Sequence, residues 1–311
     1  MSREAPSGAP ARAETLPPAG FALLMALGLF WGLHWPMMKI ALAEIPVWPF
    51  RSLCLIVGAA ALLTMTALGG RSLRVAPREL PPLLLCALFN VVGWHLLSAY
   101  GVSLMEAGRA SIIAYTMPVW VAVIGGLILG ERTTWPRWLG IALGMAGMAV
   151  LIGPDLDKVG QAPWGAALML AAAACWGTGT VLTKRFTWSM PTAALIGWQL
   201  LVGAVPVTLG AVWIGDAPDV RAISPAALLA TLYVLVMSMV FCHWAWFKVI
   251  SLFPAVLAAM GTLAIPVVGV LLSGLILDEP IGVRELVALV LVCAALAVVL
   301  VLPALRGPRV R

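Results

Sequence analysis

The chain has 311 residues, of which 62% are hydrophobic and only 10% are charged, whereas an ordinary soluble domain carries about 25% charged residues. A single soluble core could not bury so much apolar surface, so the composition excludes a soluble globular protein and a disordered chain. The formal net charge of +6 does not indicate nucleic-acid binding, because the 19 Lys and Arg residues are scattered between apolar runs.

Long apolar runs follow a polar segment at the start of the chain, and they are expected to lie in a lipid bilayer. Residues 1–19 are rich in Ala and Pro and are predicted to form a disordered cytoplasmic tail. Ten runs are long enough to cross a bilayer core of about 30 Å as helices. These runs are residues 20–42, 46–68, 79–104, 107–130, 134–152, 163–185, 191–214, 225–250, 254–277 and 281–303. Helices are favoured over a β-barrel because the runs do not alternate between apolar and polar residues.

Polar turn sequences separate these runs and set the predicted topology. The turns GGR at 69–71 and DEP at 278–280 are short, which predicts antiparallel packing of the helices that they join. If the N-terminus is cytoplasmic, most Lys and Arg residues lie on the cytoplasmic side, as the positive-inside rule requires. Both termini are therefore predicted to be cytoplasmic, including a basic tail at residues 304–311.

The two halves of the chain resemble each other. The sequence GLIL at 126–129 recurs 148 positions later at 274–277, and Trp-Gly at 31–32 recurs 145 positions later at 176–177. Each copy contains five predicted spans, so the second copy must enter the membrane from the opposite side. The sequence therefore predicts an all-α, multi-pass membrane protein with ten transmembrane helices in two inverted repeats, residues 20–153 and 163–303. Such repeats suit alternating access around a site near the membrane midplane.

These features resemble the EamA-type transporters of the drug/metabolite transporter superfamily. The resemblance rests on the ten spans, the duplication, the two Trp-Gly pairs, and the run PVWVAVIGGLILGE at 118–131, which PVVGVLLSGLILDE echoes at 266–279. It covers about residues 20–303. The resemblance implies transport of small metabolites, often export, by a protein of the bacterial inner membrane.

All three histidines of the chain, His34, His95 and His243, fall inside predicted spans, and no Asp or Glu lies in the middle of one. Polar groups are costly in lipid and tend to face the interior of a helix bundle. Histidine also titrates near neutral pH. We therefore predict that these histidines line a substrate pathway and carry any coupling to protons. The alternative is that each only forms a hydrogen bond between helices.

Other side chains deep in the spans could complete such a pathway. Aromatic rings can stack on a substrate, and an amide can form hydrogen bonds with it. The predicted pathway residues of this kind are Trp31, Asn90, Trp94, Tyr100, Tyr115, Trp176 and Trp244. For each tryptophan the alternative is a lipid-facing or helix-packing role.

Several residues have counterparts in the second half. Lys39 and Lys184 match, and they could be cationic gates at the two ends of the pathway or could extend to the membrane interface. Pro118 and Pro266 also match, and they could be paired hinges or fixed kinks. Glu279 ends the ninth span, and it is expected to cap and anchor the loop there.

The leading functional hypothesis is a secondary active transporter of a small organic metabolite. No Walker motif and no set of catalytic or metal-ligating residues is present, so an enzyme, a cofactor and a metal site are not expected. Amino acids and related zwitterionic or neutral metabolites are the preferred cargo, since no mid-span carboxylate could bind a cation. A facilitator and a drug efflux carrier are the alternatives, and an integral-membrane enzyme is a remote one. The expected partners are the substrate, the lipid bilayer and a proton but not nucleic acid, and both a monomer and a homodimer remain open.

Overall fold

The computed structural model describes residues 18–129, 135–152, 163–252, 262 and 264–298, and all regular structure in these ranges is helical. The helices are α1 (Pro18–Leu42), α2 (Val47–Leu68), α3 (Leu80–Ala87), α4 (Trp94–Leu104), α5 (Ala107–Ala114), α6 (Met117–Leu129), α7 (Trp135–Ile152), α8 (Pro163–Arg185), α9 (Thr192–Trp213), α10 (Pro225–Tyr233), α11 (Cys242–Leu252), α12 (Ala264–Leu277) and α13 (Val283–Leu296). Residues 18–19 of the predicted N-terminal tail begin α1, where proline is well tolerated. The rest of both predicted tails lies outside the described residues.

Seven helical segments in the described part are long and apolar enough to cross a membrane. They are Gly20–Leu42, Val47–Leu68, Pro77–Leu104, Ala107–Leu129, Trp164–Arg185, Thr192–Trp213 and Pro225–Trp246. Each coincides with a predicted span to within a few residues. The other three predicted spans correspond to α7, α12 and α13, which are shorter in the described ranges. The prediction of an all-helical, multi-pass membrane protein is therefore confirmed at this level.

Large apolar side chains are exposed around the outside of the bundle. Leu68, Leu127 and Trp213 are 84%, 80% and 79% exposed, respectively. Exposing such side chains to water costs free energy in proportion to their apolar area, whereas lipid tails accept them. The helical backbone also satisfies its own hydrogen bonds, which a bilayer requires. A surface of exposed leucine and tryptophan side chains is therefore typical of a protein that lies in lipid.

The third and eighth predicted spans are irregular at corresponding places. In the third, the π-helical segment Leu88–Gly93 joins α3 to α4, and in the eighth the segment Val234–Phe241 joins α10 to α11. The fourth span is also interrupted, since α5 ends at Ala114 and α6 begins at Met117. Pro118 explains this break, because its ring removes a backbone donor and clashes with the carbonyl four residues earlier.

The second helix of each half packs against its counterpart in the opposite direction. Near the start of α2, Ser52 and Thr208 of α9 share a hydrogen bond of 2.7 Å. Further along α2, Leu63 packs on Gly197, where an added Cβ would lie 2.9 Å from the leucine side chain. Residue numbers therefore rise along α2 while they fall along α9. Equivalent helices that run antiparallel are what inverted repeats require.

Two close glycine contacts also pair corresponding elements of the two halves. Gly32 of α1 packs on Val268 of α12, and Gly177 of α8 packs on Trp120 of α6. Gly177 follows Gly32 by 145 positions and Val268 follows Trp120 by 148, which are the two offsets of the sequence repeat. A Cβ at Gly177 would lie 2.8 Å from the Trp120 Cβ, so the absence of a side chain permits this approach.

Candidate functional site

Two of the three histidines contact the same buried serine, Ser238, which lies in the second π-helical segment and faces α1. The Nδ1 atom of His34 shares a 3.0 Å hydrogen bond with the hydroxyl of Ser238. The Nδ1 atom of His243 lies 3.0 Å from the backbone carbonyl oxygen of Ser238. A carbonyl only accepts, so Nδ1 of His243 must carry a hydrogen in this contact. The irregular turn of the π segment thus presents both polar groups of Ser238 to histidines.

The third histidine lies on α4, a helix that packs against α1. His95 has a buried Nδ1 atom with no hydrogen-bond partner among the described residues. Its carbonyl oxygen accepts a 3.3 Å hydrogen bond from the hydroxyl of Ser98, one turn later on the same helix. The structure therefore gathers His34, His95 and His243 in one region of the bundle. Their function in a pathway remains a prediction.

A buried arginine, which we did not anticipate as a site residue, adjoins this region. The Arg51 side chain is fully enclosed, with the residue 2% exposed, in the first turns of α2. Its Nη2 atom donates to the sulfur of Met38 at 2.7 Å and to the hydroxyl of Ser98 at 3.2 Å. Its Nε atom is buried and has no hydrogen-bond partner among the residues that the structure describes. Within the described ranges, no carboxylate forms an ion pair with it.

The sequence did contain a signal for Arg51. It is the fifth residue of α2 and lies inside the apolar run 46–68, yet the sequence analysis used the Lys and Arg residues only to predict the topology. An arginine inside an apolar run is a candidate for a function in its own right, because charged groups in membrane spans are costly.

Aromatic rings pack against His34 and His243. The ring of Trp31 lies 6.0 Å from that of His243 and 6.1 Å from that of Trp246, measured between centroids. Trp35, which is buried, packs edge to face on His34 at 5.8 Å. Of the predicted pathway tryptophans, Trp31 therefore lies beside the histidines. Trp35 and Trp246 were not among the predicted pathway residues.

Other predicted pathway residues lie elsewhere. Tyr100 is 37% exposed, and Trp244 is 42% exposed with its ring 5.8 Å from that of Phe241. Trp94 and Tyr115 are partly buried against the main apolar core. Trp176 is half-buried in α8. None of these five makes a ring contact with a histidine in the described part of the chain.

Asn90 belongs to a second polar cluster, between the first π-helical segment, α8 and α9. Its Nδ2 atom donates to the side-chain oxygen of Gln199 at 3.0 Å and to the hydroxyl of Thr183 at 3.3 Å. Its own Oδ1 atom is buried and finds no hydrogen-bond partner in the described ranges. Gln199, only 4% exposed, escaped the sequence analysis although it is a polar residue in the middle of an apolar run.

Lys39 makes contacts that identify a structural role. Its ammonium group donates to the carbonyl oxygens of Val102, Ser103 and Met105 at 2.8, 3.1 and 2.9 Å. These carbonyls lie at the end of α4, where the last turn of a helix leaves acceptors unpaired and carries partial negative charge. Lys39 therefore caps α4, while its counterpart Lys184 is exposed near the end of α8. The gate hypothesis for both remains a prediction.

The two matched prolines occupy similar places in their helices. Pro118 is the second residue of α6, directly after the break in the fourth span. Pro266 is the third residue of α12 and is buried. The segment before α12 lies largely outside the described residues, so the break can be described only for Pro118. A hinge function for the pair remains a prediction.

Carboxylates near the helix ends connect the two halves. Glu44, between α1 and α2, accepts hydrogen bonds of 2.6 Å from both the N–H and the hydroxyl of Ser224, at the start of α10. Glu79, at the start of α3, accepts a 2.6 Å hydrogen bond from the N–H of Ser189, between α8 and α9. Ser189 follows Glu44 by 145 positions, and Ser224 follows Glu79 by the same number. The contact is thus repeated with the acid and the serine exchanged.

The contacts of Glu44 change its pKa, and a third carboxylate near a helix end, Glu279, caps a helix. The hydrogen bonds from Ser224 lower the pKa of Glu44, which lies outside the spans, because they stabilise its charged form. Glu279 accepts hydrogen bonds from the N–H groups of Ala107 and Gly108, at 2.7 and 2.9 Å. Glu279 therefore caps α5, a helix of the other half, whereas the sequence led us to expect it to cap the loop at the end of the ninth span.

Comparison with known proteins gives a consistent result. The profile of the EamA-like transporter family matches residues 18–153 and again residues 163–301. The "Uncharacterized transporter YoaV" of Bacillus subtilis is 26% identical over 274 residues, which cover 88% of this chain and 94% of that protein. The "Probable amino-acid metabolite efflux pump" of Escherichia coli is 25% identical over 260 residues, covering 72% of this chain and 87% of the pump. A solved crystal structure covers 92% of this chain and 98% of its own with a TM-score of 0.63, and its 22% identity shows the fold alone.

Proposed function

The chain belongs to the EamA-like transporter family, and we propose that it is a secondary active transporter that moves a small organic metabolite by alternating access. The observation that carries this proposal is the double family match, since a duplicated unit is the usual basis of alternating access. The family and the relatives named above are transporters, so enzymatic activity is not expected.

We propose that the full architecture is ten transmembrane helices in two inverted repeats of five. The antiparallel packing of α2 on α9 supports this, as do the matched glycine contacts of Gly32 and Gly177. The protein would lie in the bacterial inner membrane with both termini cytoplasmic, as the distribution of Lys and Arg predicts.

The exchanged Glu–Ser contacts offer a mechanism for closing either end of the transporter. If the halves are inverted, the loops that hold Glu44 and Ser189 lie on opposite sides of the membrane. Each contact then ties the two halves together at one end only. Opening toward one side would require breaking the contact on that side while the other stays formed. The break before Pro118 supplies a point at which the fourth span could bend.

The histidine region is the proposed place of substrate binding and proton coupling. It combines groups that can exchange protons, His34, His95 and His243, with the aromatic rings of Trp31 and Trp35. Histidine is suited to carry a proton near neutral pH. A proton that enters with one orientation of the carrier and leaves with the other would supply the driving force.

Amino acids or related zwitterionic or neutral metabolites are the proposed cargo, and export is the proposed direction. The name of the E. coli relative supports both, although at 25% identity. The spans also provide no mid-membrane carboxylate that would bind a cation. A drug efflux carrier for cations is therefore the less favoured alternative.

The proposal can be tested in cells and in liposomes. Cells that overproduce the protein should release more of specific amino acids or their derivatives into the medium than cells with an empty vector. In proteoliposomes, uptake of the released compound should saturate and should be stimulated by the same compound inside, which a channel does not show. Equal metabolite profiles in the two cell strains would overturn the proposal.

A further inference from the structure

Arg51 is a buried charge whose electrostatic partner the described part of the chain does not supply. The groups around it are the thioether of Met38, the hydroxyl of Ser98, the thiol of Cys54 and the ring of Phe50, whose centroid lies 5.5 Å from the guanidinium carbon. None of these groups carries a negative charge. Burying a charge is costly unless an opposite charge or several good hydrogen bonds compensate it.

The position of Arg51 connects it to the histidine region. Met38, which accepts from its Nη2 atom, lies one turn after His34 on the same face of α1. Ser98, the other acceptor, lies one turn after His95 on α4. The guanidinium is therefore held between α1, α2 and α4, next to the groups proposed to bind substrate.

We propose that Arg51 binds the carboxylate of the transported substrate, an inference that rests on the proposed transport function. The guanidinium presents parallel N–H donors that match the two oxygens of a carboxylate. One of those donors, Nε, has no partner within the described residues. A substrate carboxylate supplies the missing negative charge. The cargo is thus a small carboxylic acid such as an amino acid, and its amine and side chain extend toward His34 and the aromatic rings.

A purely structural arginine would behave differently on substitution. If Arg51 only held three helices together through Met38 and Ser98, its replacement by methionine would lower stability. If it is retained for substrate, Arg51→Met replaces an uncompensated charge by an apolar group of similar length, and the apparent Tm stays unchanged or rises.

The experiment measures transport of an acid and its amide by purified protein in liposomes. The probes are radiolabelled L-phenylalanine and L-threonine and the corresponding amides, which keep the amine and side chain but lack the carboxylate. The variants are Arg51→Met and Arg51→Lys, with Arg221→Met as a matched control in an exposed loop. Apparent Tm is measured for each in detergent.

We expect wild type and Arg221→Met to transport at least one acid and to discriminate against its amide. Arg51→Met should lower kcat/KM for the acid by about tenfold or more, as loss of a hydrogen bond to a charged group does, and abolish the discrimination. Arg51→Lys keeps the charge but not the fork, so it should raise KM while still preferring the acid.

The outcomes separate the inference from the function on which it rests. If wild type transports acid and amide equally, or Arg51→Met or Arg51→Lys retains wild-type KM for the acid, the inference is wrong and the transport function stands. If wild type transports none of the four probes, the inference is wrong, while the transport function is decided separately by the comparison of metabolite profiles described above. If Arg51→Met does not fold, the Arg51→Lys result decides.

Discussion

Lys39 provides the sharpest test of whether a matched charge in this fold is structural or functional. Its ammonium group donates to three carbonyls at the end of α4, those of Val102, Ser103 and Met105. Substitution Lys39→Met removes all three hydrogen bonds and leaves the last turn of α4 without its cap. The apolar stem is retained, so packing along the side chain changes little.

The expected magnitude follows from this geometry. A hydrogen bond to a charged group contributes about 1.5–3 kcal/mol when buried. All three N–H donors belong to one ammonium group and the side chain is only half-buried, so we expect a total loss of about 3 kcal/mol rather than three times a single bond. Lys184→Met is the matched control, because Lys184 is the symmetry counterpart and is exposed. A surface substitution of this kind should change stability by about 0.5 kcal/mol or less.

The assay is equilibrium unfolding of the purified protein in mixed detergent–SDS micelles, with transport measured in parallel. We expect Lys39→Met to unfold at clearly lower SDS fraction than wild type, and Lys184→Met to match wild type. Equal stability of Lys39→Met and wild type, together with lost transport, would refute the capping argument and favour the cationic gate.

Three further predictions follow from the contacts between the halves. Glu279→Gln should destabilise the protein by about 1–2 kcal/mol in the same unfolding assay, because a carboxylate bonded to two N–H groups at a helix start is lost; a change within error would contradict this cap. Gly177→Leu should reduce the yield of folded protein measured by size-exclusion chromatography, because its side chain would overlap Trp120, whereas a normal yield would show that α6 and α8 do not approach so closely. The contribution of Glu44 to stability should be fully present above its ordinary pKa of 4.5 and should be lost as the pH falls through the lower pKa of the folded state. Glu44→Gln should remove this loss of stability at acidic pH in thermal unfolding scans. An unchanged pH profile would show that Ser224 does not stabilise the charge of Glu44.

The sequence alone was sufficient for the fold class and for the repeat. Apolar runs of helical length must form helices in lipid, because a helix satisfies its backbone hydrogen bonds within one segment and needs no distant partner. The seven spans that the described residues contain accordingly begin and end close to the predicted limits. A capping role for Glu279 was expected from its place at the end of a span, but only the packing of the two halves showed that the capped element is α5.

The site depended on contacts that no local pattern encodes. His34 and Ser238 lie 204 positions apart, and Glu44 and Ser224 lie 180 apart, so only the packing of the two halves brings them together. The same holds for Lys39, which the sequence left open between a gate and an interfacial residue and which the structure places on the end of α4.

Composition and periodicity thus determined that this chain crosses a membrane many times and repeats one unit, because those properties depend on solvent preference and on hydrogen bonds within a segment. Tertiary structure decided which polar groups meet, and it showed that Arg51 is enclosed between helices. The physical reason is that the free energy of a buried polar group depends on the partners around it, and those partners come from helices that are remote in the sequence.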